Sequence, residues 1–387
     1  MWSLGVFFTS LEQEFQWSRS VISGGYTCLI IGHSISAIVA GKLADKNAAR
    51  PTLLMSALLA GPSLALCSRM ASAGQFYALF LMTGLGTGAT VSIPTSTVQR
   101  WFIGRPHSGT ALAIVMSGIG IGGLLFAPLF QHLIGEIGWR STLAGAGAIF
   151  LLMVGGAGLP KRPYIGHHFS GFNISDSDGQ PSTTIPLRKL VFTRRYLLVV
   201  GVTFVAFLAF QVLSVHLIPY ASDVGVPANT AALALGAVGG ASVPGRFLSG
   251  ALSEKLGWSR TLAGALLGTS LAILSLLFVS QAWMILPAVA LFGVCHGMRA
   301  VAVLGLLGRS FGTESLGVLI GLTIAVGQLF SAPGPYIVGF WFDLGYSYTA
   351  TFLAIAMGLL LGALLVLLMN TQDHPLSKNA KPSTTSI

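Results

Sequence analysis

The sequence predicts an all-α membrane protein, and three features of the chain lead to that fold class. Hydrophobic residues make up 53% of the 387 residues and charged residues only 8%, whereas a soluble protein has about 25% charged residues. The mean hydropathy is +0.78. Ten long stretches also contain no charged residue at all. Each is long enough to cross a membrane core of about 30 Å, which takes about 20 residues.

The ten charge-free stretches predict eleven complete membrane helices. They are residues 20–41, 51–68, 70–99, 106–135, 141–160, 196–222, 224–245, 261–298, 315–342 and 344–372. The stretch 261–298 has room for two crossings, with a turn expected near Gln281. The 49 glycines fit helices that pack closely inside a membrane, where no hydrophobic force holds them together.

The basic residues predict the orientation of these helices. A net charge of +10 is also typical of nucleic-acid-binding proteins, but here sixteen of the 21 Lys and Arg residues fall in alternate loops. Only Arg19, Arg69 and Arg140 fall in the opposite loops, and Arg246 and Arg299 lie within spans. By the positive-inside rule this pattern predicts a multi-pass protein of the cell membrane with a cytosolic C-terminus, and no nucleic-acid partner.

Three cysteines, Cys28, Cys67 and Cys295, lie in apolar stretches without paired or metal-ligand spacing. We therefore expect no disulfide framework, no metal site and no cofactor. The N-terminal residues also lack the basic start and sustained apolar core of a signal peptide.

An internal repeat divides the chain into two similar halves. Residues 41–46 match residues 250–255 at a spacing of 209 positions, and Gly84 and Gly88 match Gly293 and Gly297 at the same spacing. A polar segment separates the halves. The repeat predicts an N-terminal helical bundle at 1–160, a cytosolic linker at 161–192, a C-terminal bundle at 193–370 and a cytosolic tail at 371–387.

The repeat also indicates that the first helix of the N-terminal bundle is largely missing. The helix that begins near Tyr196 should have a partner starting roughly 13 residues before Met1, of which only residues 2–11 are present. We expect an upstream reading frame to supply about 15 to 25 further apolar residues. The alternative is an eleven-helix protein whose N-terminus lies outside.

A loop motif occurs twice in register with this repeat. Each copy has a glycine that allows close helix approach, an acid at a helix end and basic residues beyond it, a set that can latch one conformation. The copies are Gly41, Asp45 and Arg50, and Gly250, Glu254 and Arg260. They resemble the loop motif of the major facilitator superfamily, which implies two six-helix bundles in a pseudo-twofold repeat. Residues 47–49, Asn-Ala-Ala, depart from that motif.

Further stretches look like the monocarboxylate transporter branch of that superfamily and its relatives, which include the oxalate/formate antiporter. They are Gly5-Val-Phe-Phe with Glu14-Phe-Gln-Trp17-Ser-Arg19, Arg100-Trp-Phe with Gly109-Thr-Ala-Leu-Ala, Gly138-Trp-Arg140, His216-Leu-Ile-Pro-Tyr220 and Gly245-Arg246-Phe-Leu-Ser-Gly250. The resemblance implies a secondary transporter of monocarboxylates. We expect symport with a proton, because a neutral pair crosses the membrane potential without charge work. The antiporter carries a lysine in its eleventh helix, and its absence here favours one carboxylate over two.

Arg299 is a candidate substrate-binding residue because it must lie within the membrane. Two spans and a turn consume the residues between Arg260 and Arg309, and no Asp or Glu lies in a span to pair with it. A guanidinium in the membrane is costly and suits an anionic substrate, ideally a carboxylate. His296, one turn earlier, lies on the same helix face. In the alternative, Arg299 binds backbone carbonyls of a broken helix.

Arg246 is a second candidate for binding the substrate. It lies about 12 Å from Glu254 along the helix, so it either snorkels to the cytosol or lines the pathway. In the family that this chain resembles, an arginine at this position binds the substrate carboxylate. An aspartate often precedes it by four residues, where this chain has Ser242, which leaves the proton-coupling mechanism open.

Two further polar residues complete the predicted site. His216 can titrate near neutral pH and relay a proton, or it is simply hydrogen-bonded near the outer surface. Gln328, with Ser331 three residues later, is expected to contribute polar contacts to the substrate cavity.

Other function classes fit less well. The sequence contains no catalytic motif, so we expect no enzyme. Residues 127–128 are Ala-Pro where drug/proton antiporters of the superfamily usually carry Gly-Pro. An exporter of drugs or uncharged solutes and a non-transporting membrane receptor stay open as alternatives. The expected partners are a small organic anion, protons and the lipid bilayer, and the oligomeric state is open.

Overall fold

The computed structural model describes residues 4–45, 49–102, 108–158, 190–311 and 316–369, and the described part consists of helices joined by short connections. The first half contains α1 (Leu4–Phe15), α2 (Arg19–Asp45), α3 (Ala49–Leu66), α4 (Ala73–Thr87), α5 (Ala89–Phe102) and α6 (Ser108–Gly158). The second half contains α7 (Arg194–Asp223), α8 (Ala228–Leu256), α9 (Trp258–Leu276), α10 (Ile285–Phe311), α11 (Leu316–Ser331), α12 (Gly334–Asp343) and α13 (Tyr348–Leu368).

The described helices agree with the predicted number of crossings. Nine segments are long and apolar enough to cross a membrane, and one of them, Ile114–Gly158, has 45 residues. That length is enough for two crossings. The paired helices α11 and α12, each too short alone, together cover residues 316–343 and supply one more. The predicted turn near Gln281 is confirmed, because a short 3-10 segment begins at Ala282 and α10 follows it.

Glycines end or interrupt helices at matched positions of the repeat. Gly138 has φ 78° and interrupts α6, and Gly345, with φ 89°, lies between α12 and α13. A positive φ is readily adopted only by glycine. These two positions are 207 residues apart, so both halves make the same turn before their last helix.

The close packing of helices also repeats. A Cβ atom at Gly84 would lie 2.1 Å from the carbonyl oxygen of Leu29, and one at Gly293 would lie 2.4 Å from that of Val238. Leu29 and Gly84 precede Val238 and Gly293, respectively, by 209 positions. Contacts between α2 and α4 in the first half are thus matched by contacts between α8 and α10 in the second. The two bundles share one packing scheme, as the all-α fold with a pseudo-twofold repeat requires.

Because these contacts leave no room for a side chain, Gly297→Ala should destabilise the second bundle. A Cβ there would lie 2.1 Å from the carbonyl oxygen of Ser242, and overpacking of this kind typically costs about 1–3 kcal/mol. We expect a lower thermal midpoint of the detergent-solubilised protein, followed by tryptophan fluorescence. Gly264→Ala is the matched control, because no atom lies within 4 Å of its added Cβ. Equal midpoints for the two variants would contradict the close packing.

The two halves contact each other along α6 and α8, and they also meet at one end of the bundle. We call the end at which α2 begins the Arg19 face, and the opposite end, at which α3 and α9 begin, the Arg50 face. Toward the Arg19 face α2 packs on α12, and α1 packs on α7. Within the described residues, α5 packs on helices of its own half and makes no extended contact with α10 or α11. The structure is therefore a conformation closed at the Arg19 face.

The remaining organisational predictions fall largely outside the described residues. Most of the predicted linker at 161–192 and the tail at 371–387 belong to the part that the structure does not describe. At the other end of the chain, α1 has 12 residues and is about 18 Å long, too short to cross a membrane alone.

Candidate functional site

The two intramembrane arginines lie at about the same depth in the second bundle. Gly293 contacts Val238 and Gly297 contacts Ser242, so α8 and α10 run parallel with their residues offset by 55 positions. With this offset, Arg246 of α8 lies opposite residue 301 of α10, close to Arg299. The two arginines are therefore within about 3 Å of each other along the helix axis. The two guanidinium groups are close enough to interact electrostatically. The structure thus brings together two cations that are 53 residues apart in sequence.

Arg299 lies near the middle of α10 and is buried. Its guanidinium carbon is 4.8 Å from the centre of the Phe207 ring on α7, a favourable cation–π contact. Its Nε is buried and has no hydrogen-bond partner among the described residues. Helix α10 is continuous from Ile285 to Phe311, so the alternative in which Arg299 binds carbonyls of a broken helix is not observed. The side chain keeps unused hydrogen-bond donors.

Arg246 is buried as well, and it joins the two halves. Its Nη1 donates a hydrogen bond of 2.7 Å to the backbone carbonyl of Met116 in α6. The residue is 7% exposed and lies about 15 Å from the end of α8 at Leu256, so it does not snorkel to the surface. Its Nε is buried without a partner within the described part of the chain.

His296 completes a cationic and aromatic cluster with the two arginines. Its ring stacks on Phe210 of α7 at 4.4 Å and lies 6.1 Å from Phe292 of α10. Both arginines act on it electrostatically. No Asp or Glu occurs in residues 194–222, 228–253, 285–311 or 316–331, so these four helices bring no carboxylate to the cluster. A small anion would supply the missing opposite charge.

Gln328 lies on α11, but its neighbourhood shows a residue that sequence reasoning missed. The side-chain nitrogen of Gln211, on α7, donates to Ser331 Oγ at 2.7 Å and to the Gln328 carbonyl at 3.4 Å. The Gln211 Oε1 is buried and has no partner among the described residues. The signal that could have indicated Gln211 is an amide side chain within a charge-free span.

His216 is fully buried and hydrogen-bonded on both ring nitrogens. Nε2 lies 2.9 Å from the carbonyl oxygen of Pro335, and Nδ1 lies 3.0 Å from the hydroxyl oxygen of Tyr348. Ser23 Oγ, from the first half, is 3.3 Å from Nε2. His216 therefore lies between the halves, close to the Arg19 face, and not in the arginine cluster.

A second histidine, His33, also escaped sequence reasoning. It is buried in α2, with its Nδ1 3.2 Å from Thr87 Oγ1. It precedes Ser242 by 209 positions, so it occupies the equivalent place in the first half. The repeat spacing is the signal that could have found this titratable group.

The two copies of the loop motif are not engaged in ion pairs where the structure describes them. Glu254 and Arg260 are exposed, and neither takes part in an ion pair with another described residue. Gly250 has open space beside it, with no atom within 4 Å of an added Cβ. Arg50 is half-buried. The side-chain surroundings of Gly41 and Asp45 lie outside the described residues, and the latch stays a prediction.

At the Arg19 face the structure assembles a polar cluster that the sequence did not predict. Arg19 Nη1 and Nη2 donate to the two carboxylate oxygens of Asp223 at 2.6 Å and 2.7 Å. The same Nη1 donates to the Tyr348 hydroxyl at 2.9 Å. The Asp343 carboxylate accepts from the backbone N–H groups of Arg19 and Ser20, at 3.0 Å each. These contacts join the start of α2 to three helix ends of the other half.

Among the described residues, no group of three or more His, Cys, Asp or Glu side chains could hold a metal ion. The arrangement offers donors for an anion and a buried histidine between the halves.

Comparison with known proteins agrees with this architecture. The family model described as Major Facilitator Superfamily matches residues 1–335 and again residues 201–386. Monocarboxylate transporter 11 of Homo sapiens is 28% identical over 91% of this chain and 75% of its own length. Monocarboxylate transporter 13 of Rattus norvegicus is 25% identical over 93% of this chain and 82% of its own. Monocarboxylate transporter 12 of Rattus norvegicus is 25% identical over 94% and 80%, respectively.

The family match covers the whole length over which the two helical bundles repeat. Its second copy begins at residue 201, within the first helix of the second half. The chain therefore belongs to the Major Facilitator Superfamily, as a membrane transporter and not an enzyme.

Proposed function

We propose that this transporter carries a small organic anion, most simply a monocarboxylate, together with a proton. The observation that carries the proposal is the pair of buried arginines at one depth, with no Asp or Glu in residues 194–222, 228–253, 285–311 or 316–331 of the helices around them. Two guanidinium groups in a low-dielectric site need a compensating negative charge. The relatives that are named monocarboxylate transporters support the same class of substrate.

In this proposal Arg299 and Arg246 hold the carboxylate, because a planar guanidinium can donate two parallel hydrogen bonds to it. His296 and Gln328 add polar contacts to the substrate. His216 carries the coupled proton. An anion that moves with one proton crosses as a neutral pair, so the membrane potential does no work on it.

Transport would proceed by alternating access. The two bundles rock about a site near the midplane while their glycine contacts slide. The latch residues Gly41, Asp45 and Arg50, and their counterparts Gly250, Glu254 and Arg260, would hold a second conformation that closes the Arg50 face. We further propose that the Arg50 face and the C-terminus are cytosolic in the cell membrane, since most basic loop residues lie on that side.

Uptake into proteoliposomes is the experiment that tests the proposal. With the outside more acidic, we expect the purified protein to accumulate labelled lactate or pyruvate above the level of protein-free liposomes. A protonophore should remove most of the accumulation. Uptake without any response to the pH gradient would contradict proton coupling.

The same assay separates the two alternative functions. An exporter of drugs or uncharged solutes would move neutral compounds and ignore carboxylates. A membrane receptor would bind a ligand and move nothing. Saturable binding of lactate without uptake would therefore overturn the transporter proposal for this substrate.

A further inference from the structure

At the closed Arg19 face, one arginine binds partners from the other half. We call Arg19, Asp223, Asp343 and Tyr348 the clasp. Arg19 binds Asp223 with both terminal nitrogens, and its guanidinium carbon lies 4.0 Å from the centre of the Phe342 ring. The Arg19 side chain is 10% exposed and that of Asp223 is 36% exposed, so the ion pair is only partly screened by solvent. Separation of the halves at this face must break it.

The internal repeat explains why Asp223 pairs across the halves. Glu14 precedes Asp223 by 209 positions, and its carboxylate accepts from Arg140 Nη2 at 2.6 Å within its own half. The position equivalent to Arg140, 207 residues later, is Ser347. Asp223 therefore has no basic partner at the matching place in its own half. The sequence difference between the halves leaves this carboxylate available to Arg19.

Hydrogen bonds connect the clasp to His216 and define its proton positions. The Pro335 carbonyl can only accept, so His216 Nε2 carries the proton in their 2.9 Å contact. The Tyr348 oxygen accepts from Arg19 Nη1, and its hydroxyl is 3.0 Å from His216 Nδ1. The hydroxyl proton therefore points to an unprotonated Nδ1. In the series of hydrogen bonds from Arg19 through Tyr348 to His216, every donor has an acceptor only while the imidazole is neutral.

Protonation of His216 would disturb this chain in two ways. Once Nδ1 is protonated, it can no longer accept the hydrogen bond that the Tyr348 hydroxyl donates. The imidazolium would also be a fully buried positive charge facing Arg19, which repels it, and Asp343, which attracts it. Burial of a charge without a dedicated partner is costly.

The other charged groups around His216 are already used. On its own helix, Asp223 is neutralised by Arg19. From α1, the uncharged Phe8 ring lies beside His216, with 5.9 Å between the two ring centres. The carboxylate of Glu12, also on α1, binds Arg19 Nε at 3.3 Å. On α12 the Asp343 carboxylate caps the start of α2. A charged His216 is therefore more easily accommodated when the Arg19 face opens and water reaches it.

We propose that Tyr348 and Arg19 are positioning residues that couple the protonation of His216 to the opening of the Arg19 face. In the protein without substrate, the face closes when His216 is neutral and opens when His216 is protonated, so closure with the coupled proton still on His216 requires the bound anion. The inference rests on the proposed function for its role in transport, since it links the coupled proton to alternating access. The opening itself is a property of the protein without substrate.

Distance measurements between spin labels test this coupling directly. Labels would be attached at Ala71→Cys and Ser280→Cys, two exposed positions in different halves near the Arg19 face, after Cys28, Cys67 and Cys295 have been replaced by serine. From about pH 8 to about pH 5, the range around the ordinary imidazole pKa, we expect a longer-distance population to grow. A single coupled proton allows the ratio of open to closed populations to rise by at most about tenfold per pH unit.

Three variants decide whether His216 and Tyr348 are responsible. His216→Gln keeps a polar group but cannot take up the proton, so its distances should not respond to pH in this range. Tyr348→Phe keeps the ring and breaks the connection to Arg19, so its response should be lost or strongly reduced. His132→Gln is the matched control, because His132 is an exposed histidine of α6, and it should behave as the parent does.

Two results would overturn the inference. One is an unchanged pH response in His216→Gln and Tyr348→Phe, which would assign the opening to the carboxylates of Asp223, Glu12 or Asp343. The other is a parent protein whose distances do not change with pH. If His216→Gln does not fold, Tyr348→Phe alone decides. The measurement contains no carboxylate substrate, so a failure of lactate uptake and a failure of this coupling are separate results.

Discussion

Arg299→Lys should lower anion uptake roughly ten- to a hundredfold while the yield of folded monomer stays close to that of the parent. A charge-assisted hydrogen bond is worth about 1.5–3 kcal/mol, and 1.4 kcal/mol corresponds to tenfold. Lysine keeps the positive charge but loses the planar pair of donors that fits a carboxylate. It also loses the flat contact with the Phe207 ring, which is 4.8 Å from the guanidinium carbon.

Arg246→Lys should also impair uptake, though less than the change at Arg299. One of its nitrogens is committed to the Met116 carbonyl, and an ammonium can replace that single bond. Arg69→Lys is the matched control, because Arg69 is exposed in the short segment that follows α3. Near-normal uptake in both Lys variants would remove the anion-binding role and favour a transporter of uncharged or cationic solutes.

Asp223→Arg should reduce uptake about tenfold or more, because it replaces the partner of Arg19 by a like charge. The lost charge-assisted hydrogen bonds correspond to about 1.5–3 kcal/mol, and repulsion adds to that loss. The Arg19 face would then stay open through most of the cycle. Initial rates of lactate uptake, with protein amounts matched by quantitative blotting, measure this effect.

Combining Asp223→Arg with Arg19→Asp should raise uptake at least about twofold above that of Asp223→Arg alone, since residues in contact show coupling energies of about 0.5–3 kcal/mol. Glu136→Arg provides the control, because Glu136 is an exposed carboxylate near the same face and should tolerate the reversal. A double variant no better than Asp223→Arg alone would show that the charge pair does not control closure.

In the proposed function, the clasp and the arginine cluster have separate roles in transport. The cluster lies in the second bundle and binds no carboxylate of the protein, whereas the clasp lies where the halves meet and is rich in them. In that proposal, an anion binds at the cluster and a proton acts next to the clasp. Arg246, through its bond to Met116 of the first half, would then allow substrate at the cluster to influence how the halves pack.

Much of the fold followed from the sequence, because a membrane restricts the choices. Backbone groups in hydrocarbon must bond internally, so an apolar stretch of sufficient length becomes a helix. The lengths of the charge-free stretches therefore predicted the crossings, and the number of glycines predicted close helix packing in general, without naming the pairs of helices. Gly293 and Gly297 do contact α8, as their matched positions in the first half contact α2.

The candidate site was predicted only in part. Arg299 and Arg246 are conspicuous in sequence because a charge within an apolar span is rare. Gln211 was missed because an uncharged amide carries a weaker signal. Arg19, Asp223 and Tyr348 were missed for a different reason. Each lies at a helix end, where polar residues are ordinary, and nothing in their spacing predicts that they meet.

The sequence by itself determined that this protein spans the membrane, that it is built as a repeat and that two arginines lie within the spans. These properties depend on local composition and on periodicity, which any segment carries with it. Only the tertiary structure decided that the arginines share one depth, that Arg246 bonds to the other half and that His216 connects to Arg19 through Tyr348. Those properties depend on contacts between residues that are 53 to 329 positions apart, and such contacts exist only once the helices have packed.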